Sequence, residues 1–307
     1  MLNLRTSPMA IGILTCATLS MLATARADDA QTATSLRALG GQVTETGGAV
    51  TKIFFKDCSK LGEAEFKQIG QLKSLKSLTL YGSCKGLNDA TLAHLATLTA
   101  LEELGTDGIQ VTDAGLKHLA ALPNLRSAAF FHIAFPDKGF TGAGFAAFKT
   151  LPKLERLTIA GTPFNDAGMA AVAQLTQIKE FRTWHTFQTQ AGNAHLLKLT
   201  GLRSLMLGQR LRQYNGKPNA LSIDDATLAT LAKMKGLETL SLDEVRLTHA
   251  GLVQIKALPN LKKLILQRAD ISEADIAKLR ADLPSVIIEW KPLTDVERKA
   301  LDGFLKP

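Results

Sequence analysis

The chain has 307 residues, of which 46% are hydrophobic and 21% are charged, and its formal net charge is +8. This composition is typical of a soluble protein with enough apolar side chains for a large core. The basic residues are spread along the chain and form no run, which argues against nucleic acid as the partner.

The first 27 residues have the layout of a secretory signal peptide. Arg5 is a lone positive charge, an uncharged apolar run covers residues 10–23, and residues 25–27 (ARA) supply the small residues of a cleavage site. We predict cleavage after Ala27, a secreted or periplasmic chain, and no stable membrane insertion; an uncleaved anchor is the alternative. Cleavage removes two arginines and no acid, so the remainder carries 34 basic and 28 acidic residues, a net charge of +6.

Residues 28–49 are predicted to form an N-terminal cap, because this segment is polar and glycine-rich and has a short helical pattern over residues 33–39. A first, degenerate repeat follows. Its strand is predicted at Val50 to Phe55, and its helical face at Phe66 and Ile69.

From Leu72 onwards the sequence repeats with a basic period of 24 residues. Each copy contains an alternating segment such as Leu78-Thr79-Leu80, which predicts a strand with one buried face. Two apolar residues three apart then predict one side of a short helix, as at Leu92 and Leu95. The copies open at Leu72, Leu98, Leu122, Leu151, Leu175, Leu199, Met234 and Leu258, and a last strand-like copy opens at Leu283.

The residue four positions before each helical pair can cap a helix in every copy. Its side-chain oxygen accepts a hydrogen bond from an otherwise unpaired backbone amide, which stabilises the helix by about 1 kcal/mol. Thr294 with Glu297 matches a capping box and predicts a final helix. The predicted caps are Asn88, Thr112, Thr141, Asn165, Thr189, Asp224, Thr248 and Ser272.

One strand, one turn and one capped helix per copy predict parallel strands joined by right-handed crossovers. Stacked copies then bury leucines that a single copy leaves exposed. The motif, as in Val111-TDAG-Leu116, resembles the leucine-rich repeat in the TDxGL form of ribonuclease-inhibitor-like arrays, which secreted bacterial proteins also carry. The resemblance covers residues 50–290, about nine units. It implies a right-handed α/β solenoid, with a parallel sheet on the concave face and short helices on the convex face, that serves as a binding scaffold.

The ends of the array carry two further predictions. Residues 291–307 are predicted to form a capping helix that covers the exposed core of the last repeat with Val296, Leu301 and Phe304. Cys58 and Cys84 follow equivalent positions of neighbouring strands, which lie about 4.8 Å apart. We predict a disulfide between them that links the cap repeat to the first full repeat; two buried free thiols are the alternative.

The candidate binding residues lie between the core positions of the strands, on the concave face. Arginine and aromatic side chains dominate binding hot spots. Two copies are longer than 24 residues, with insertions after the strands at residues 131–140 and 208–221, which predicts that both insertions emerge on the same edge. Tolerated surface loops are the alternative for the insertions, and burial in an irregular core is the alternative for Trp184. The candidate residues are Phe131, Arg156, Arg182, Trp184, Met206 and, in the second insertion, Tyr214.

Motifs of enzymes are absent from the sequence, and we predict no catalytic residue, metal or cofactor. His132 and His185 occupy matching positions after strands, but a metal between them needs a third ligand, and Asp137 is the one nearby candidate. The acids of the TD and ND steps, Asp113, Asp166 and Asp225, are explained by the charge of the helix N-terminus. The predicted function is non-catalytic binding of a protein partner; binding of a carbohydrate or cell-envelope polysaccharide is the alternative.

Overall fold

The structure is a computed structural model that describes residues 28–133, 139–211, 213–214, 217–218 and 220–305, with the backbone alone at residues 213, 214, 217 and 218. The predicted signal peptide, Asp137 and the last two residues lie outside the described residues. Cleavage after Ala27 therefore stays a prediction.

The described chain is built around an eleven-stranded sheet in which strands follow one another in sequence order. Only the first pair is antiparallel, and every other neighbouring pair is parallel, with equivalent residues of successive repeats in register. The strands are β1 (Gln42–Thr46), β2 (Ala49–Phe55), β3 (Ser77–Leu80), β4 (Glu103–Asp107), β5 (Ser127–Phe131), β6 (Arg156–Ala160), β7 (Glu180–Trp184), β8 (Ser204–Gly208), β11 (Thr239–Asp243), β12 (Lys263–Gln267) and β13 (Ile287–Trp290), with a separate hairpin of β9 (Gln213–Tyr214) and β10 (Lys217–Pro218).

Short helices return the chain from each strand to the next, and the predicted α/β leucine-rich-repeat solenoid is confirmed. The α-helices are α1 (residues 28–38), α2 (Glu63–Ile69), α3 (Asp89–Leu95), α4 (Asp166–Val172), α5 (Gln190–Ala194), α6 (Asp225–Leu231), α7 (His249–Leu252), α8 (Glu273–Asp282) and α9 (Asp295–Leu305). The 3-10 segments are Gly115–Ala121, Ala143–Thr150, His195–Lys198 and Val253–Ala257.

The helix caps follow the sequence prediction closely. Asn88, Asn165, Thr189, Asp224, Thr248 and Ser272 each precede an α-helix and accept a hydrogen bond from an amide of its first turn. Thr112 and Thr141 also accept from the amide two residues further on, at 3.2 Å, but 3-10 segments follow them. Two of the helices are therefore tighter than predicted.

The aspartates that directly follow the cap residues also join neighbouring repeats. The Asp166 carboxylate accepts hydrogen bonds from the backbone N and the Oγ1 of Thr189 in the next repeat, both at 2.7 Å. The helix charge proposed from the sequence thus explains only part of their role. The same contacts join Asp89 to Thr112, Asp113 to Thr141, and Asp225 to Thr248.

Glycines three residues after Thr112, Thr189 and Thr248 give the carboxylate room, whereas the glycine three residues after Thr141 makes room for the backbone of Asp113. A Cβ atom on Gly192 would lie 2.1 Å from the Oδ1 of Asp166, and a Cβ on Gly251 would lie 2.0 Å from the Oδ1 of Asp225. Where the preceding repeat lacks this aspartate, the contact is absent. The repeat capped by Asp224 is an example, and the residue three positions after this cap is Thr227 and not glycine. An aspartate of one repeat and the T-x-x-G segment of the next repeat therefore form a contact that joins the two repeats, and we call this contact the lock between repeats.

The N-terminal end contains a strand that the sequence did not predict. Strand β1 pairs antiparallel with β2 and covers what would otherwise be an open sheet edge. Its side chains are largely exposed, so they show no alternation between buried and exposed positions. The helix of this end also begins earlier than predicted, since residues 28–38 are helical.

The C-terminal helix does not cover the end of the core as predicted. Val296 is 79% exposed. Helix α9 instead packs Leu301 and Leu305 into a small cluster with Leu293, separate from the main core. The chain turns back here because acids and arginines of the turns after β11 and β12 pair with α9: Arg246 binds Asp302, and Asp270 binds Arg298.

Cys58 and Cys84 are buried and unbonded in the structure, and the Cys84 thiol is hydrogen-bonded to the Cys58 thiol. That hydrogen bond and burial raise the pKa of Cys84, so the neutral thiol is the favoured form at neutral pH. The two sulfurs are thus neighbours, and the disulfide stays a prediction.

In protein isolated from an oxidising compartment, we expect a non-reducing peptide map to link Cys58 with Cys84. Closing this loop should stabilise the fold by about 3 kcal/mol, so reduction should lower the melting temperature. After reduction, alkylation of the folded protein should be slow, because a buried neutral thiol is a poor nucleophile. Titration of two free thiols in the denatured, unreduced protein would contradict the pairing.

Candidate functional site

Aromatic side chains form a continuous strip across the concave face. The ring centroids are 6.1 Å apart for Phe54 and Tyr81, 6.0 Å for Tyr81 and Phe131, and 6.0 Å for Phe131 and Trp184. All four side chains are half-buried, so each keeps part of its surface in contact with solvent. The candidate binding residues named from the sequence include Phe131 and Trp184 but not Phe54 or Tyr81.

The strip ends at a guanidinium group. Arg182 is exposed, and its Cζ lies 5.7 Å from the centroid of the Trp184 ring. Its Nε and Nη2 donate to the Sδ of Met206 at 3.4 Å and 3.3 Å. Among the described residues Arg182 has no acidic partner, so its charge is oriented but not neutralised. Such a group is suited to a hydrogen-bond acceptor or an anion on a partner.

The structure does not bring all the predicted site residues together. Arg156 lies toward the start of its strand and forms an ion pair at 3.8 Å with Glu103, away from the Arg182–Trp184 pair. Met206 is only 8% exposed, so it supports Arg182 from below. Tyr214 belongs to the β9–β10 hairpin, and its side chain lies outside the described residues.

The two histidines after the strands have acidic partners. The Nδ1 of His132 is 2.9 Å from the Oδ1 of Asp107, and the Nε2 of His185 is 2.6 Å from the Oε2 of Glu244. Asp137 lies outside the described residues. The part of the chain that the structure describes holds no group of three or more ligands suited to a metal ion.

A chain of charges continues from His185 along the edge where the strands end. Arg268 contacts Glu244 at 3.1 Å and also holds both carboxylate oxygens of Asp243, which is 2% exposed. These hydrogen bonds raise the pKa of Arg268. The network carries no local signal in the sequence, because its members come from three repeats.

This edge is conformationally strained. His132, His185, Glu244 and Arg268 have φ between 43° and 56°, a left-handed conformation that glycine adopts more easily. Each follows a strand, and glycine takes the equivalent place at Gly108 and Gly161. Non-glycine residues persist there because their side chains are held by the contacts just described.

Buried hydrogen bonds join the start and the end of the second insertion. The side chain of Gln209 accepts from the backbone N of Ser222 at 3.1 Å and donates to the carbonyl of Ile223 at 2.6 Å. All three residues are buried. The two ends of the insertion are therefore held together beside β8.

Solved structures of bacterial proteins resemble this chain. They include a leucine-rich-repeat protein of Leptospira interrogans (24% identity, TM-score 0.44, covering 73% of this chain and 51% of that one) and internalin C2 of Listeria monocytogenes (17% identity, TM-score 0.44, 75% and 84%). A third is the internalin inlF of the same organism (17% identity, TM-score 0.30, 80% and 87%). The similarity concerns the fold. This chain spans about half the length of the Leptospira protein.

No protein-family model and no curated protein matches the chain. Within the described residues, no helix combines the length and apolar character needed to cross a membrane.

Proposed function

We propose that the chain is a non-catalytic, extracytoplasmic scaffold that binds a protein partner through its concave face. In this proposal residues 1–27 are a cleaved signal peptide, residues 28–49 a cap, residues 50–290 the repeats, and residues 291–307 a C-terminal helical segment. The insertions at residues 131–140 and 208–221 border the binding face.

The observation that carries the proposal is Arg182 on Trp184, at the end of the aromatic strip. Arginine and tryptophan contribute most often to binding hot spots, because they bury a large area and still form directed contacts. The pair is already ordered by Met206, so binding would immobilise few additional side-chain rotations. An unneutralised guanidinium also favours a partner with an acceptor group at this point.

Affinity capture from envelope and secreted fractions tests this proposal. The protein should retain one or more partners, and the double variant Arg182→Ala/Trp184→Ala should lose them, because it removes both the stacked cation and its platform. Loss of two such hot-spot side chains typically weakens binding by about 100-fold or more.

A matched control removes a cation and an apolar side chain elsewhere. Arg280 on α8 and Val296 on α9 are both exposed. The double variant Arg280→Ala/Val296→Ala should therefore retain the same partners, and both variants should show the circular dichroism spectrum of the original protein. Capture that survives the concave variant but not this control would place recognition on another surface.

A further inference from the structure

Basic side chains of neighbouring repeats lie together on one part of the edge where the strands begin. The residues immediately before successive strands form a backbone ladder, in which Lys179 donates to the carbonyl of Glu155 and Arg203 donates to the carbonyl of Lys179, both at 2.8 Å. Three exposed lysines lie on the same edge. Lys198 ends the helical segment before β8, and Lys233 and Lys235 follow the helix before β11. We call this surface the basic edge: Lys179, Lys198, Arg203, Lys233 and Lys235.

Among the five cations of the basic edge, Arg203 alone forms an ion pair with an acid of the described residues. Arg203 contacts Glu238 at 3.2 Å, and that acid is shared with Lys262 at 2.6 Å. Lys179, Lys198 and Lys233 form no ion pair with any residue that the structure describes, although Glu155 and Glu180 are close to Lys179 in the sheet.

Lys235 is fixed at the C-terminal end of the basic edge. Its Nζ donates to the carbonyls of Ala232 and Ala257, at 2.9 Å and 2.7 Å. These carbonyls end the helices of two neighbouring repeats, where a cation is favoured. The interaction orients the ammonium group but leaves its charge without a carboxylate.

A cleft of about 170 Å³ opens among these lysines, between the turns that precede β8 and β11. Lys233, Lys235 and Thr200 lie on its rim, with Leu197 and Met234 among the apolar groups of its wall. A Cβ on Gly201 would lie 3.1 Å from the Nζ of Lys179, so that ammonium group reaches the same turn. At about 30 Å³ per water molecule, the cleft has room for a small acidic group with its neighbouring atoms.

We infer that the basic edge binds an anionic polysaccharide, with one acidic group of the polymer in the cleft and others along the line of lysines. An extended polyanion fits because the positive charges lie in a row across adjacent repeats, about 4.8 Å apart from strand to strand. An anionic membrane fits less well: the large exposed apolar side chains of the described residues are Ile287 and Val296, and neither belongs to this cleft. Aromatic platforms for nucleic-acid bases are also missing among the cleft residues.

Fluorescently labelled dextran sulfate is a suitable probe, with neutral dextran as the uncharged control. Charge reversal in Lys179→Glu/Lys233→Glu should weaken dextran sulfate binding by about 10-fold or more at low salt. The control Lys67→Glu/Lys117→Glu changes the net charge equally on exposed residues of the helical side. It should weaken binding by less than about 2-fold.

Three results would overturn the inference. The first is absence of dextran sulfate binding by the original protein, and the second is an equal loss in both charge-reversed variants, which would indicate net charge alone. The third is binding of vesicles rich in anionic lipid that is weakened by Lys179→Glu/Lys233→Glu, together with no binding of dextran sulfate. This result would assign the edge to a membrane. Unchanged melting temperatures of both variants would show that the fold is intact.

Discussion

Replacement of Phe145 by alanine should lower the free energy of unfolding by about 3–5 kcal/mol. Phe145 is fully buried beneath the sheet, and its ring centroid lies 5.3 Å from that of Phe130 and 5.2 Å from that of Phe148. Phe140 and Phe164 complete the cluster at 6.2 Å and 6.1 Å. Alanine would leave a cavity that these rings can only partly fill. Urea denaturation followed by circular dichroism measures the loss.

Phe131→Ala is the matched control, because it removes the same side chain from the half-buried concave face. The loss there should be roughly half as large, since less apolar area leaves water when Phe131 folds. Equal losses at the two positions would contradict the described packing of Phe145 in the core and Phe131 on the concave surface.

The second large effect concerns the lock between repeats. Asp166→Ala should lower the free energy of unfolding by about 2–3 kcal/mol, because it removes two hydrogen bonds to a charged group and leaves the Thr189 amide without its acceptor. Gly192→Ala should also destabilise, by about 1–3 kcal/mol, because its Cβ would meet the Asp166 carboxylate.

The double variant Asp166→Ala/Gly192→Ala separates these effects. Without the carboxylate the clash is relieved, and alanine is favoured over glycine in a helix by about 1 kcal/mol. Gly192→Ala should then cost much less than it does beside Asp166, because only the Cα of residue 166 remains close, at 3.3 Å from the added Cβ. Additive losses in the double-mutant cycle, measured by urea denaturation of the four proteins, would show that the carboxylate and the glycine are not coupled.

The sequence predicts the fold well because each repeat contains local signals for its own strand and its own helix. Alternation at Leu78-Thr79-Leu80 and the cap at Asn88 are local signals, and both lie where the structure has a strand and a helix start. Strand β1 could not be predicted in this way. Its exposed side chains show no periodic pattern, and its pairing depends on β2.

The predictions that failed depend on contacts between distant segments. Val296 has the apolar character expected of a capping residue, but α9 is positioned by Arg246 and Asp270, which lie more than 20 residues before it. The binding role of Met206 stays a prediction, and its low exposure of 8% follows from its position in a central strand in contact with Arg182. Single-residue patterns contain no information on such partners.

The candidate site was partly foreseeable. Arginine and aromatic residues between core positions indicate the concave face, because side chains alternate along a strand. The order of the strip from Phe54 to Trp184 and the position of Arg182 over the indole require the register of several strands at once. The basic edge needs the same information, because its lysines are scattered in sequence and adjacent only in the stacked array.

Photocrosslinking from the two faces of the solenoid distinguishes recognition by the concave face from recognition by the helical side. p-Benzoylphenylalanine would replace Thr158, which lies in register with Arg182 on the concave face, and, in a second protein, the exposed Lys117 on the helical side. Irradiation in envelope and secreted fractions should give a protein adduct from position 158 that the Arg182→Ala/Trp184→Ala variant loses, and none from position 117. An adduct from position 117 alone would contradict recognition by the concave face.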